Sequence, residues 1–256
     1  MKNSEMQTLS GKTVLVTGAT GTIGAAIARE LAAEGARLIL HFGRNRAAAE
    51  TLAQELGNGA FCAEGDLSTK EGPDLMWQEA LAKAGEINAL VNNAGILSHI
   101  KIADPLEDWH TVWAREMQVN FHAAADLCRA AILHFRTIGG GRIVNIASRA
   151  GQGGYRGDAM PYGVSKAALI NLTQSIAGSF GSEGISAVAI APGWVRTSMA
   201  EAYMAKHGAE AALGGIPIRK MAESAEIGEL VSFVLRGSQH SLTGAVLDVN
   251  GASQMR

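Results

Sequence analysis

The chain of 256 residues is poor in several things, and each shortage narrows its roles. Cysteine occurs only at Cys62 and Cys128, far apart and without metal-ligand spacing. Free thiols in a reducing, cytoplasmic compartment therefore fit better than a disulfide framework or a metal centre. Excess charge is missing too: the formal net charge is −2 and the pI about 6.4. Neither nucleic acid nor an anionic membrane is expected as the main partner of such a surface. No stretch reaches the ~18 apolar residues that a membrane span needs. No apolar run precedes Ser10, so no secretory signal is read there. Aromatic residues make up 5% of the chain, too few for an aromatic-lined binding platform. Repeats, charge runs and low-complexity linkers are absent as well, so residues 1–256 read as one domain.

What is present is apolar and glycine-rich. The chain is 47% hydrophobic with 31 glycines, enough for a substantial core with close backbone packing and glycine-bearing turns. Seven short apolar runs, rich in β-branched residues, predict strands: 12–17, 36–42, 59–66, 87–95, 141–148, 185–193 and 244–251. Helical periodicity fills the gaps after several of them. The stretch AAIARELAAEGA (25–36) carries Ile27, Leu31 and intervening alanines on one stripe, with Gly35 as the expected helix stop. Residues 46–57 and 71–84 are further helices, and 105–136 is long enough for two, the second from about Asn120 to Phe135. Strands alternating with helices predict a doubly wound, seven-stranded parallel sheet of Rossmann type.

The first turn carries chemistry. Gly18, Gly21 and Gly24 lie between the first strand and the first helix, in TGATGTIG (17–24). There they permit a tight turn, close approach of backbone to phosphate and close helix–strand packing. The helix N-terminus adds unpaired N–H groups and the positive end of its dipole, so Gly18, Thr20, Gly21, Thr22, Ile23 and Gly24 are candidate contacts of a dinucleotide pyrophosphate. After the second strand comes HFGRNR (41–46), with Arg44, Asn45 and Arg46 and no acid before Glu50. An acid would bind the ribose hydroxyls and repel a 2′-phosphate, whereas a guanidinium matches phosphate in charge and shape. NADP(H) is thus favoured over NAD(H), with Arg44 and Asn45 as candidate cofactor contacts.

Tyr162 and Lys166 stand four apart behind Pro161, where a proline suits the first turn of a helix. That spacing puts phenol and ammonium on one face. A neighbouring ammonium is expected to pull the tyrosine pKa down from about 10, towards a group that exchanges a proton with a carbonyl or an alcohol. Taken alone, the pair reads equally as a half-buried tyrosine beside a solvated lysine.

The ordered set Thr17–Gly24, Asn92–Gly95 (NNAG), Asn120, Ser148, Tyr162-x-x-x-Lys166 and Pro192–Gly193 strongly resembles the short-chain dehydrogenase/reductase family, over essentially the whole length from Leu9 to Gly251. The resemblance implies Tyr162 as general acid/base and Lys166 as its electrostatic partner and ribose ligand. It implies Ser148 as a donor to the substrate oxygen and Asn120 as the holder of a proton-relay water. It places Asp66 and Leu67 at the adenine, Asn93, Ala94 and Gly95 along the adenosine side, and Pro192, Gly193, Val195 and Thr197 beside the nicotinamide. A homo-oligomer is also implied, a tetramer or dimer packed through the long helices that begin near Asn120 and Tyr162. Each residue has a plainer alternative: Ser148 as a turn cap, Asn120 as a bonder of helix backbone, Asp66 as an N-cap.

Two features depart from the family pattern. Thr22 stands where the common glycine motif has its middle glycine, with Gly21 one place earlier. Relatives that reduce acyl chains on acyl carrier protein often have basic residues late in the helix of the catalytic tyrosine; here 177–184 has Glu183 as its only charge. An NADP(H)-dependent carbonyl reductase or alcohol dehydrogenase on a small-molecule substrate is therefore expected. A 3-oxoacyl-carrier reductase is the second reading, and a non-enzymatic nucleotide sensor on the same fold is the third. Residues 198–220, with glycines at 208, 214 and 215, suit a substrate lid. Met199, Tyr203 and Met204 within it, with Gln152, Tyr155 and Met160, are candidate substrate neighbours or packing residues. His99, His110, His122 and His207 are scattered and form no metal or nucleophile cluster; no metal is expected.

Overall fold

The structure is a computed structural model that describes residues 9–155 and 157–255; residues 1–8, where the secretory signal was sought, lie outside these. Seven strands form the sheet: β1 Thr13–Val16, β2 Arg37–Phe42, β3 Phe61–Glu64, β4 Ala89–Asn92, β5 Gly141–Ile146, β6 Ile185–Pro192 and β7 Val246–Val249. All pairs are parallel, in the order β3-β2-β1-β4-β5-β6-β7. Every predicted strand run contains one of these strands, and each is shorter than its run because the polar ends leave the ladder.

Alternation along the strands builds two apolar layers. Val14 and Val16 of β1, with Leu38 and Leu40 of β2, face one side. They pack there against α1 (Thr22–Ala33), α2 (Arg46–Leu56) and α10 (Ser224–Leu235). Leu15, Ile39, Leu90 and Ile143 face the other side, against α3 (Gly72–Ala84), α5 (Ala123–Thr137) and α7 (Met160–Phe180). Fully buried side chains such as Leu15, Leu90 and Phe135 each contribute roughly 1.5–3 kcal/mol of apolar burial.

Two elements differ from the sequence expectation. Residues 105–136 do not split into two separate helices. α4 (Leu106–Met117) runs into α5 through a π-helical turn, Gln118–His122, with Asn120 at its centre. An extra residue in a helical turn redirects side chains at that point, and such turns recur at functional sites. The second element is α10, for which no helix was expected. It has a reciprocal cap between Glu223 and Glu226, and an apolar stripe through Ile227, Val231 and Val234 that covers α1. Residues 198–220 form α8 (Ser198–His207) and α9 (Ala209–Leu213), and α6 is a single turn at Ala150–Gly153. No described helix is long and apolar enough to cross a membrane.

Candidate active site

The strand order reverses direction of winding between β1 and β4, and a crevice opens at the carboxyl ends of the strands there. A cavity of about 940 Å³ fills it. Its wall takes in Gly18, Thr20, Gly21, Thr22, Ile23 and Gly24 of the glycine turn, then Arg44, Asp66 and Leu67. It continues through Asn93, Ala94 and Gly95 to Ser148, Tyr162 and Lys166, and on to Pro192, Gly193, Val195 and Thr197.

At the glycine turn, Gly18 has φ +62°, and a Cβ there would stand 3.0 Å from the Ala94 backbone. A Cβ on Gly24 would fall 2.3 Å from the Gly18 carbonyl oxygen, so α1 can start only on a glycine at that contact. Thr22 opens α1 behind Gly21, which has extended backbone and no side-chain cap, and the first turn holds no acid. The positive end of the helix is therefore left to an anion entering the cavity, which fits a pyrophosphate. The threonine in place of a middle glycine thus lies in the helix, not in the tight part of the turn.

The turn is stapled from two sides. Asn93 Nδ2 donates to the carbonyls of Thr17 at 2.9 Å and Gly18 at 3.2 Å, while Thr17 Oγ1 accepts from the N–H groups of Asn93 and Ala94. On the other side stands His41, which the sequence reading passed over. It is buried, its Nδ1 accepts from the Gly18 N–H at 3.0 Å, and its Nε2 lies 3.1 Å from the Gly65 carbonyl. That pairing requires the neutral tautomer with the proton on Nε2, and burial lowers the histidine pKa in agreement. A lone histidine closing a strand gave no signal for this; only the neighbouring strand ends do.

Beyond β2, the two arginines separate. Arg46 pairs with Glu64 and Glu50 and lies over the Phe42 ring, whereas Arg44 lines the cavity. Asn45, expected at the cofactor, caps α2 by accepting from the Ala48 N–H at 3.1 Å and is not on the cavity wall. The α2 N-terminus claims that amide because an Asn at the cap satisfies an otherwise unpaired N–H. Asp66 Oδ1 accepts from the N–H and hydroxyl of Ser68, and these bonds hold its pKa below the usual carboxylate value.

The catalytic candidates converge. Pro161 lies in the first turn of α7, and Tyr162 follows it. The Tyr162 phenol shares a hydrogen bond with the Ser148 side chain, which sits just past β5. The Lys166 ammonium is buried, donates to the Ile146 carbonyl at 2.8 Å and lies 5.8 Å from the Tyr162 ring centroid. Asn120 is off the cavity wall, behind Gly95: a Cβ on Gly95 would stand 3.3 Å from Asn120 Oδ1 and 3.4 Å from Lys166 Nζ.

One electrostatic expectation is overturned. Lys166 was expected to pull the Tyr162 pKa down. Burial instead pushes the phenol up to about 12, against the opposing bond to Ser148, with Tyr155 and Glu116 adding to the rise. Burial likewise brings the Lys166 ammonium down to about 8, with Glu116 opposing. Desolvation penalises whichever charged form is enclosed, and it is the largest cause at both groups.

At the far end, Tyr155, Ala200 and Tyr203 line the cavity, while Gln152, Met160 and Met204 do not; the Met199 side chain lies outside what the structure describes. Gln152 instead donates to Asp248 at 2.5 Å. Thr197 Oγ1 accepts from the Ala200 N–H at 3.2 Å and so caps α8 as well as lining the wall. His99 lines the cavity and pairs with Asp158 at 3.1 Å.

Comparison with known proteins agrees with this arrangement. The family model for short chain dehydrogenase matches residues 12–208. Nodulation protein G of Rhizobium sp. (strain N33) is 35% identical over 250 residues, covering 96% of this chain and 98% of its own. Oxidoreductase UcpA of Escherichia coli (strain K12) is 33% identical over 263 residues, covering 98% and 97%. A solved 7α-hydroxysteroid dehydrogenase, complexed with NADH and 7-oxo glycochenodeoxycholic acid, superposes with a TM-score of 0.87 at 28% identity, covering 98% and 97%. With the crevice, its glycine turn and the Ser148–Tyr162–Lys166 cluster in place, these matches assign the chain to the short-chain dehydrogenase/reductase family of NAD(P)-dependent oxidoreductases.

Proposed function

We propose that this protein is an NADP(H)-dependent carbonyl reductase and secondary-alcohol dehydrogenase in which Tyr162 is the general acid/base. The single observation that carries the reading is the half-buried Tyr162 bonded to buried Ser148 at a dinucleotide-sized crevice, with Lys166 enclosed beside them. The glycine turn and the N-terminus of α1 would hold the pyrophosphate, Asp66 and Leu67 the adenine, and Lys166 the nicotinamide ribose. A nicotinamide dinucleotide bound there supplies the hydride for reduction or accepts it in oxidation.

The chain's own groups handle the oxygen. As the carbonyl carbon gains a hydride, its oxygen acquires the C=O π-electron pair, and the Ser148 hydroxyl donates to it. The Tyr162 O–H bond breaks and its proton forms the new alcohol O–H. With a pKa near 12, Tyr162 holds that proton throughout the neutral range, which suits an acid poised for reduction. The Lys166 ammonium then stabilises the phenolate by its opposite charge until a proton from solvent restores the phenol. In the oxidative direction each transfer reverses.

Arg44 supports NADP(H) over NAD(H), because it lines the nucleotide end of the cavity while Arg46 is taken by Glu64 and Glu50. A carrier-protein thioester is disfavoured: the end of α7 carries Glu183, bound bidentately by Arg136, and so has no unbalanced positive charge for an acidic partner. The protein is read as a homo-oligomer, and residues 198–220 as a lid over the substrate. A panel of ketones and secondary alcohols, run with both nicotinamides in both directions, tests the proposal. Turnover with NADPH well above NADH is expected, and preference for NADH or for acyl-carrier conjugates over small ketones would contradict it.

A further inference from the structure

A buried carboxylate lies beneath the catalytic cluster, and the proton path above makes no use of it. Glu116, in the last turn of α4, has 0% of its surface exposed. Fully buried glutamates are rare unless their oxygens are paired. Here both are paired with donors: Oε1 accepts from Asn120 Nδ2 at 3.2 Å and Oε2 from the Ser98 N–H at 3.1 Å. The Ser98 hydroxyl reaches it as well. Burial raises the carboxyl pKa of Glu116, and the donors at Ser98 and Asn120, with the charge of Lys166, act against that rise and favour the ionised form.

The amide that Glu116 holds is in turn the link to the catalytic cluster. Asn120 Oδ1 accepts from the Ile96 N–H at 2.8 Å, and Nδ2 donates to the Ile96 carbonyl at 2.9 Å and to Ser165 Oγ at 3.1 Å. Asn120 thereby holds Ile96 while Glu116 holds Ser98, and Gly95 at the start of this segment separates Asn120 from Lys166. The titratable groups set against Glu116 are Lys166 and Tyr162, both on α7. From residues 96–100 it meets Ser98, whereas His99 turns to Asp158; Arg115, its neighbour on α4, lines the nucleotide cavity.

We propose that Glu116 is a positioning residue of the proton relay: as a buried anion it fixes Asn120 and residues 95–98 beside Lys166 and keeps the Lys166 ammonium charged. Its charge acts upward on the pKa of both Lys166 and Tyr162, opposing burial at the first and adding to it at the second. This inference rests on the reading of Tyr162 and Lys166 as the acid/base pair.

The test is the pH dependence of kcat in both directions for the purified full-length enzyme carrying Glu116→Gln or Glu116→Asp, with NADPH affinity followed by fluorescence. Removing the anion lowers both pKa values, so with Glu116→Gln the rising limb of alcohol oxidation and the falling limb of ketone reduction move to lower pH by roughly half to one unit. KM for NADPH stays within about twofold, since Glu116 does not line the cavity. Glu116→Asp keeps the charge one methylene farther from Lys166 and shifts the limbs in the same direction by less; it is read alone if Glu116→Gln does not fold. Unmoved limbs in a folded variant overturn the proposal, even if kcat falls, and so does failure of both variants to fold. Tyr162→Phe is assayed in parallel. If it retains turnover, the parent reading fails; if it is inactive while Glu116→Gln leaves the limbs in place, this inference alone fails.

Discussion

Replacing Lys166 with methionine is expected to make the protein more stable while removing its activity. The lysine is 4% exposed and its pKa is brought from 10.5 down to about 8, chiefly by burial. At pH 7 the ammonium is enclosed, and a drop of that size corresponds to about 3 kcal/mol against the folded state. Losing its bond to the Ile146 carbonyl offsets about 1 kcal/mol. The net gain of about 2 kcal/mol raises Tm by roughly 4–8 °C in a domain of this size. The sign with pH follows from the lowered pKa. Below about pH 8 folded and unfolded chains both carry the proton, and the cost of burying it is present in full. As pH climbs from about 8 towards 10.5, the folded lysine releases its proton first and the cost fades. Differential scanning calorimetry of wild type and Lys166→Met at pH 7 and pH 9.5 should show the gap in Tm narrowing at the higher pH. A variant no more stable than wild type at pH 7, or a gap independent of pH, would refute the reasoning.

Arg44→Ala is expected to raise KM for NADPH by roughly tenfold or more, the loss of a charge-assisted contact, and to leave KM for NADH within about twofold. Equal effects on the two cofactors in steady-state assays would show that Arg44 does not read the 2′-phosphate. Ketone reduction is expected to hold level through neutral pH and decline with a midpoint near 8 as Lys166 loses its proton, while alcohol oxidation climbs into the alkaline range because Tyr162 must first ionise. An oxidation optimum on the acid side of neutrality, measured across buffers of constant ionic strength, would contradict this ordering.

Local pattern carried most of the sheet. Runs such as 36–42 and 185–193 are apolar throughout because both faces of a parallel strand are covered, and that burial is written directly in composition. The spacing of Tyr162 and Lys166 was legible because their geometry is set within one turn of one helix. What escaped depends on neighbours distant in sequence. The upward pressure on Tyr162 comes from burial, with Tyr155 and Glu116 adding to it, which no spacing along α7 expresses. His41 and Glu116 gain their meaning only when β2 meets the glycine turn and α4 meets residues 96–98. Asn45, a candidate cofactor contact, answers a local demand at the start of α2, the unpaired N–H of Ala48. The α10 helix escaped too, although its signals are local: the Glu223–Glu226 cap and the spacing of Ile227, Val231 and Val234.

The central claim is that the Tyr162 hydroxyl moves the proton while a nicotinamide bound alongside moves the hydride. Tyr162→Phe deletes that one oxygen, so the direct measurement is kcat for NADPH-dependent reduction of the best ketone, set beside the NADPH dissociation constant of the same preparation. The account predicts a fall in kcat of at least about a hundredfold, with the dissociation constant close to that of wild type. Turnover retained in the phenylalanine variant would contradict it.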